Sequence, residues 1–447
     1  MKSTASFARR SRRSFLKSTA VLAAATSLPE WFVERSLGAP APVKAPGPND
    51  QPAIALVGCG GMGQADARNA SRFGRVVALC DVDSNRLAQA KEGYPDAKTY
   101  SDFRRVMDRN DIDVVICGTV DHWHVLVSMA AVNSGKDIYC EKPLTRTIQE
   151  GQRLIKTVHQ SRRILQTGTQ QRSDPRFRLA CELVRNNRLG PIRHVDVWVP
   201  MGLRDGPFAH TPVPEGFDYE FWMGPTPVID YVKERTHGTF RYWWDYAGGT
   251  VTDWGVHHND IALWGLGMDH SGPVSIEGKA LIDTVPGGYT APREWRVDYQ
   301  YASGITHTCQ TTKGNGPYGQ VLDADAQQHG IRFNGDNGWI FVTRGKIEAS
   351  DPDLLSTPLP PDAVRLYESN DHMGNFFDCV VSRNAPIADV EIGHRSASIC
   401  HIGVLAIRLG RKLTWNPEKE KFKGDREANH YLSNPMRKPW TFESVGG

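Results

Sequence analysis

The stretch AIALVGCGGMGQ, Ala53 to Gln64, constrains the fold more than any other part of this 447-residue chain. An apolar run leads into glycines spaced G-x-G-x-x-G at Gly58, Gly60 and Gly63, and a helix-forming run follows. The first glycine permits a tight turn, the second lets the backbone approach a pyrophosphate, and the third lets the new helix pack closely on the strand. Gly61 and Met62 lie inside the same turn, where free N–H groups at a helix N-terminus attract phosphate. A second strand-like run, RVVALCDVD, brings Asp81 to a strand end. A carboxylate there accepts from a ribose 2′-hydroxyl and repels a 2′-phosphate, so the expected cofactor is NAD(H).

The alternation continues with a capped helix from Ser101, the strand DVVICGTV, a helix closed by Gly135, the strand DIYCEK, a helix in TIQEGQRLIKTVHQS and the strand ILQTGTQ. Continuous apolar strands between amphipathic helices predict a doubly wound parallel sheet, a Rossmann domain over residues 51–172. The length calls for a second domain. VSIEGKALI, EWRVDYQY, GITHTCQTT and GWIFVTR alternate in part as strands, and HRSASICHIGVLAIRLGR reads as a late helix. The expectation is α/β overall: an N-terminal Rossmann domain, then an α+β domain with an open, largely antiparallel sheet over 173–420 and a C-terminal extension over 421–447.

Ahead of this body stands SRRSFLK, Ser11 to Lys17, followed by the weakly apolar STAVLAAATSL. A basic segment before a short apolar one is an export layout, and Arg12–Arg13 in S-R-R-x-F-L-K matches a twin-arginine signal. The Pro-rich APAPVKAPGPND that follows reads as a cleavage region and linker. The leader is therefore assigned to residues 1–41, with a cut near Ala39 or Ala41, and the linker to 42–50. The expected destination is the periplasm.

Seven of the 53 Lys and Arg residues and two of the 50 acids fall in residues 1–41, which leaves 46 against 48 in the body. That near-neutral body argues against nucleic acid as a partner. No apolar run reaches the length of a membrane span. The eight cysteines form no paired framework, and Cys59, Cys80, Cys117 and Cys140 sit in or beside strands, where cysteine acts as a small hydrophobe.

Three stretches carry chemistry. CEKPLT ends a strand with Glu141, Lys142 and Pro143, at the rim that faces the ligand crevice in a doubly wound sheet. GTVDHWHV puts Thr119, Asp121, His122 and His124 at the same rim. GGTVTDWGVHHNDIALWGLG holds Asp253, His257, His258 and Asp260. If it is helical, Asp253 and His257 stand one turn apart and the carboxylate can orient the imidazole. These histidines and acids are also metal-ligand types in permissive spacings, so a metal centre is the competing reading. Trp222, Trp243, Trp244, Trp254 and Trp264 crowd residues 221–264 and could offer faces to a pyranose. Arg172, Arg204, Arg235 and Arg241 could hold an acidic sugar.

The glycine turn, Asp81, E-K-P at Glu141–Pro143 and D-x-x-x-H at Asp253–His257 together resemble the glucose–fructose oxidoreductase / inositol dehydrogenase / MocA family, in its exported bacterial branch. GTQQRS from Gly168, NGWIFVTRG and the C-terminal RKPW extend the likeness. The resemblance implies an enzyme that moves hydride between a ring C–H(OH) of a sugar or polyol and a nicotinamide. His257 would take the hydroxyl proton, Asp253 would orient it, and Lys142 would hydrogen-bond the developing alkoxide. Cofactor contacts are expected from Gly58, Gly60, Gly61, Met62, Gly63, Asp81, Thr119, His122, His124, Glu141 and Lys142, and substrate contacts from Arg172, Trp254 and His258. The resemblance further implies a cis Lys142–Pro143 bond and a homodimer or homotetramer that covers the open sheet. Outside the cytoplasm no NAD pool restores a spent cofactor, so NAD(H) is expected to stay tightly bound. A glycosidase that oxidises transiently, eliminates and re-reduces is the alternative, with His122, His124 or Tyr242 as extra base.

Overall fold

The computed structural model describes residues 28–37, 51–312 and 329–445. The twin-arginine motif and the Pro-rich linker lie outside these residues.

Six parallel strands form the first sheet: β1 (Ala53–Val57), β2 (Arg75–Cys80), β3 (Lys98–Tyr100), β4 (Val114–Cys117), β5 (Asp137–Cys140) and β6 (Leu165–Thr167). Their order is β3-β2-β1-β4-β5-β6, so the chain reverses direction across the sheet between β1 and β4. β1, β4 and β5 are buried along their whole length, as expected of strands covered on both faces. The helices end on the signals the sequence carries. Thr147 and Glu150 form a reciprocal capping box at the start of helix Ile148–Ser161, and Asp102 caps helix Phe103–Met107.

The second sheet has nine strands. They are β7 (Ile192–Val199), β8 (Ser275–Ala280), β9 (Trp295–Gln300), β10 (Thr306–Thr311), β11 (Gly330–Gly335), β12 (Gly338–Thr343), β13 (Lys346–Ala349), β14 (Leu413–Asn416) and β15 (Lys421–Phe422). The order is β13-β12-β11-β7-β10-β9-β8-β14-β15, antiparallel throughout except for the central β7–β10 pair. Helices Gly249–Leu266, Val390–Leu409 and Pro175–Arg185 share the core on one face of this sheet, with Val195, Val197, Phe333, Val297 and Tyr299. The other face carries the polar series His194, Asp196, Arg296, Asp298, Arg332 and Asn334.

Three segments cross the expected domain limits. Helix Glu30–Leu37 falls in the stretch assigned to the leader, yet Phe32 is 1% exposed and packs in the second domain's core with Leu28 and Val33. The Arg178 guanidinium lies 4.6 Å from the Phe32 ring, and the Trp31 indole donates to the Leu355 carbonyl. Helix His372–Ser382 lies in the sequence of the second domain but packs beneath the first sheet, with Phe376 and Met373 against Ile54 and Leu56. Trp440, in the C-terminal extension, packs on Trp123, Phe221 and Phe103. All eight cysteines are buried and unpaired. Among the described residues no helix is long and apolar enough to cross a membrane.

Candidate functional site

A cleft of about 760 Å³ runs from the glycine turn to helix Gly249–Leu266, past the carboxyl ends of β1, β2, β4 and β5. Gly58 holds φ +92, and a side chain there would meet the backbone of Gly118 at 2.5 Å. A Cβ at Gly63 would overlap the Gly58 carbonyl oxygen, whereas one at Gly61 would meet nothing. The turn is thus closed behind and open toward the cleft, and Gly60 caps helix Gly61–Ala70 without a side-chain acceptor, which leaves its first N–H groups free. That cradle fits a dinucleotide pyrophosphate.

Asp81 lines the cleft at the end of β2, with its oxygens accepting from Cys59 N at 2.6 Å and Asp83 N at 2.9 Å. Burial raises its carboxyl, and the backbone N–H groups oppose that rise. The Asp83 side chain caps the next helix, Ser84–Gly93, and so fixes Arg86 at the same end of the cleft.

At the other end, Lys142 Nζ donates to Asp253 Oδ1 at 2.5 Å and to the Asp253 carbonyl at 3.3 Å. Burial works to raise the Asp253 carboxyl, but Lys142 and Arg241 outweigh it and hold it below the usual range. The bond before Pro143 is cis, as the family resemblance implies. His257 follows Asp253 by one helical turn but does not hydrogen-bond to it; the carboxylate is taken by Lys142. This corrects the expected orienting role, and the reason is electrostatic: the ammonium is the stronger partner for a buried carboxylate. His257 Nδ1 is buried without a partner, and its ring lines the cleft. Burial first, then the charges of Lys142 and Arg344, push the imidazole well below its ordinary value, so it is neutral at neutral pH.

Burial also pushes the carboxyls of Glu141 and Asp121 up to about 7. Glu141 accepts from its neighbour Lys142 N and from Gln170. His124 Nδ1 bonds the Pro143 carbonyl at 2.7 Å and Nε2 faces the Thr119 carbonyl at 3.2 Å, which ties the E-K-P turn to the end of β4. Burial brings His124 down to about 4.

The cleft collects Gly58, Gly60, Gly61, Met62, Asp81, Thr119, His124, Glu141, Lys142, Asp253, Trp254 and His257 from the residues expected in the site. Gly63 stands behind the turn. Three others are elsewhere. His122 spends Nε2 on the Trp222 carbonyl inside an aromatic cluster. Arg172 is 1% exposed and locked to Asp260 and Asp269. This also removes Asp260 from the site, because an isolated guanidinium cannot be buried so deeply. His258 is fully buried between Gln171 and His329. Of the five tryptophans only Trp222 and Trp254 reach the cleft. Among the described residues no three His, Cys, Asp or Glu side chains gather as a metal site. The sequence reading missed Arg86, Gln170, Gln171 and Arg344, which complete the walls.

Two family models cover nearly all of this architecture. Residues 53–169 match the Gfo/Idh/MocA model for an oxidoreductase family, NAD-binding Rossmann fold, and residues 198–442 match that for the oxidoreductase family C-terminal alpha/beta domain. The chain belongs to the Gfo/Idh/MocA oxidoreductase family. Residues 11–29 match a twin-arginine translocation pathway signal sequence. Among curated relatives of this Gfo/Idh/MocA protein, inositol 2-dehydrogenase 4 of Saccharopolyspora erythraea is 25% identical over 80% of the chain and 94% of the relative. Myo-inositol 2-dehydrogenase of Thermotoga maritima is 25% identical, but the match spans 52% of the chain and only 59% of the relative. The WlbA dehydrogenase of Chromobacterium violaceum, solved with NADH and UDP-GlcNAcA, superposes with a TM-score of 0.62 at 18% identity, covering 84% of this chain and 99% of that one. Aldose-aldose oxidoreductase of Caulobacter crescentus gives 0.59 at 20% identity, covering 81% and 99%. At these identities the structural likeness shows the shared fold.

Proposed function

We propose that this protein is an exported, NAD(H)-dependent oxidoreductase of sugars or polyols that retains its dinucleotide between turnovers. The observation that carries the proposal is one continuous cleft with a pyrophosphate cradle at one end and Lys142, Asp253 and His257 at the other. Sugar and polyol dehydrogenases among the relatives support the substrate class. The twin-arginine match supports delivery to the periplasm of a chain folded around its cofactor.

The glycine turn would hold the pyrophosphate, Asp81 and Arg86 would border the adenosine ribose, and Thr119 and Glu141 would border the nicotinamide. When bound, the nicotinamide supplies the hydride acceptor. Asp253 fixes the Lys142 ammonium at the cleft wall, where it would hydrogen-bond the substrate hydroxyl and stabilise negative charge as it develops. Neutral His257 accepts the hydroxyl proton as the C–H bond yields its electron pair. A second carbonyl substrate, reduced in reverse, would return both hydride and proton and restore the starting state. The glycosidase route would draw on His122, His124 or Tyr242 as extra base; both His124 ring nitrogens face backbone carbonyls, and His122 has Nε2 on the Trp222 carbonyl and Nδ1 buried. The polar outer face of the nine-stranded sheet is the surface expected to pair in a homo-oligomer.

The test is to add a panel of sugars and polyols to purified protein without added nucleotide and follow the nicotinamide absorbance. A substrate should change the spectrum within one turnover per chain, and His257→Asn should slow that change by roughly 10²–10⁴-fold. An unchanged rate in His257→Asn would overturn the assignment of the base.

A further inference from the structure

We propose that the substrate of this cleft is an anionic sugar, whose carboxylate or phosphate is received by Arg344 with Arg241 beside it. The inference rests on the carbohydrate reading above and narrows it.

Arg344 follows β12 and reaches the cleft wall beside Trp254, with its guanidinium carbon 4.9 Å from the indole centroid. Its Nε donates to Gln171 Oε1 at 3.2 Å, which fixes the plane of the group. Its terminal nitrogens have no protein acceptor among the described residues. The other guanidiniums around the site do have carboxylates: Arg86 with Asp83, Arg172 with Asp260 and Asp269, Arg235 with Asp245 and Arg241 with Asp253. Half-burying a guanidinium with no carboxylate in contact costs solvation, and burial lowers the pKa of this one even against the opposing charges of Asp253, Glu141 and Asp174.

The charge balance at this end points the same way. Lys142 and Arg241 share the single carboxylate of Asp253, with Arg241 at 3.6 Å and Lys142 at 2.5 Å. Asp174, on the same wall, is paired with Arg176 at 3.1 Å, and burial leaves Glu141 and Asp121 each only partly ionised near neutral pH. His257 contributes no charge. Beyond the Asp174–Arg176 pair, Lys142, Arg241 and Arg344 therefore face the one carboxylate of Asp253, and the phosphates of a dinucleotide would lie at the far end of the cleft, on the glycine turn. A planar fork held in place by Gln171 suits the paired oxygens of a carboxylate or phosphate.

The experiment measures binding, not turnover. Titration calorimetry on the full-length folded protein would compare D-glucuronate, D-galacturonate and D-mannuronate with the parent hexoses and the hexose 6-phosphates. At least one anion should bind about tenfold or more tightly than its parent sugar, and added salt should weaken it. Uronates ahead of phosphates would identify a sugar acid, and the reverse order a sugar phosphate. Arg344→Gln should remove about that tenfold preference, and Arg344→Lys, which keeps the charge and guards against a folding artefact, should restore part of it. The proposal is overturned if parent sugars bind as tightly as the anions, if none of the anions binds, or if Arg344→Gln leaves the preference intact. The nicotinamide spectrum separates the two readings. Equal oxidation of neutral sugars would sink the anion subsite alone, and tight anion binding with no spectral change would sink the oxidoreductase reading alone.

Discussion

As the proposed base, His257 can accept a proton only while it is neutral. Burial and the neighbouring cations Lys142 and Arg344 keep it so throughout the neutral range. A lowered imidazole pKa means that the proton binds only well below the ordinary value of 6.5, so the neutral form is complete at pH 6.5 and above and is lost only well beneath it. The expected kcat/KM profile is flat on His257's account from about pH 7 downward to 6.5 and falls on the acid side. A limb centred above pH 7 and abolished in His257→Asn would contradict this. That Lys142, Asp253 and His257 would gather at one cleft was legible from their spacing and from the E-K-P context. What local sequence could not convey was their partnership, because Asp253 has two suitors and only the fold brings Lys142 within 2.5 Å of it. Arg344 was illegible for a related reason: its anchor, Gln171, is 173 residues away. Arg172, expected as a substrate contact, turns instead into a buried ion pair with Asp260.

At the scale of elements, strands and helices of the nucleotide domain follow the periodicity closely, because each is a local pattern with its own caps. Helix Glu30–Leu37 does not. EWFVERSL continues an apolar leader and looks like its end, yet Leu28, Phe32 and Val33 are buried against Phe177 and the strands of the second sheet. Burying side chains of this size contributes about 1.5–3 kcal/mol each, so a cut near Ala39 or Ala41 would strip a core element from the mature protein. The expected cut accordingly moves ahead of Leu28, within the stretch that matches a twin-arginine signal over residues 11–29, where Ala23-Ala24-Ala25 offers the small-residue spacing a signal peptidase reads. Terminal sequencing of the exported protein should find a start ahead of Leu28. A start at Pro40 or Pro42, with the fold intact, would refute it. Helix His372–Ser382 teaches the same lesson from the other side: it lies more than two hundred residues beyond the last nucleotide-domain strand, and only its contacts reveal which sheet it serves.

For the whole molecule, the proposed reading reconciles an export signal with a dinucleotide cradle by having the cofactor travel inside the folded protein. On that proposal the interleaving of the two domains would help to hold the cofactor. Helix His372–Ser382 and Trp440 tie the second half of the chain to the first sheet, and residues of both halves wall the same cleft. The measurement that tests this most directly is to purify the exported protein without nucleotide, denature it, and identify and count the dinucleotide released per chain. The account predicts NAD(H) close to one per chain. An empty protein that binds NAD only weakly would contradict it.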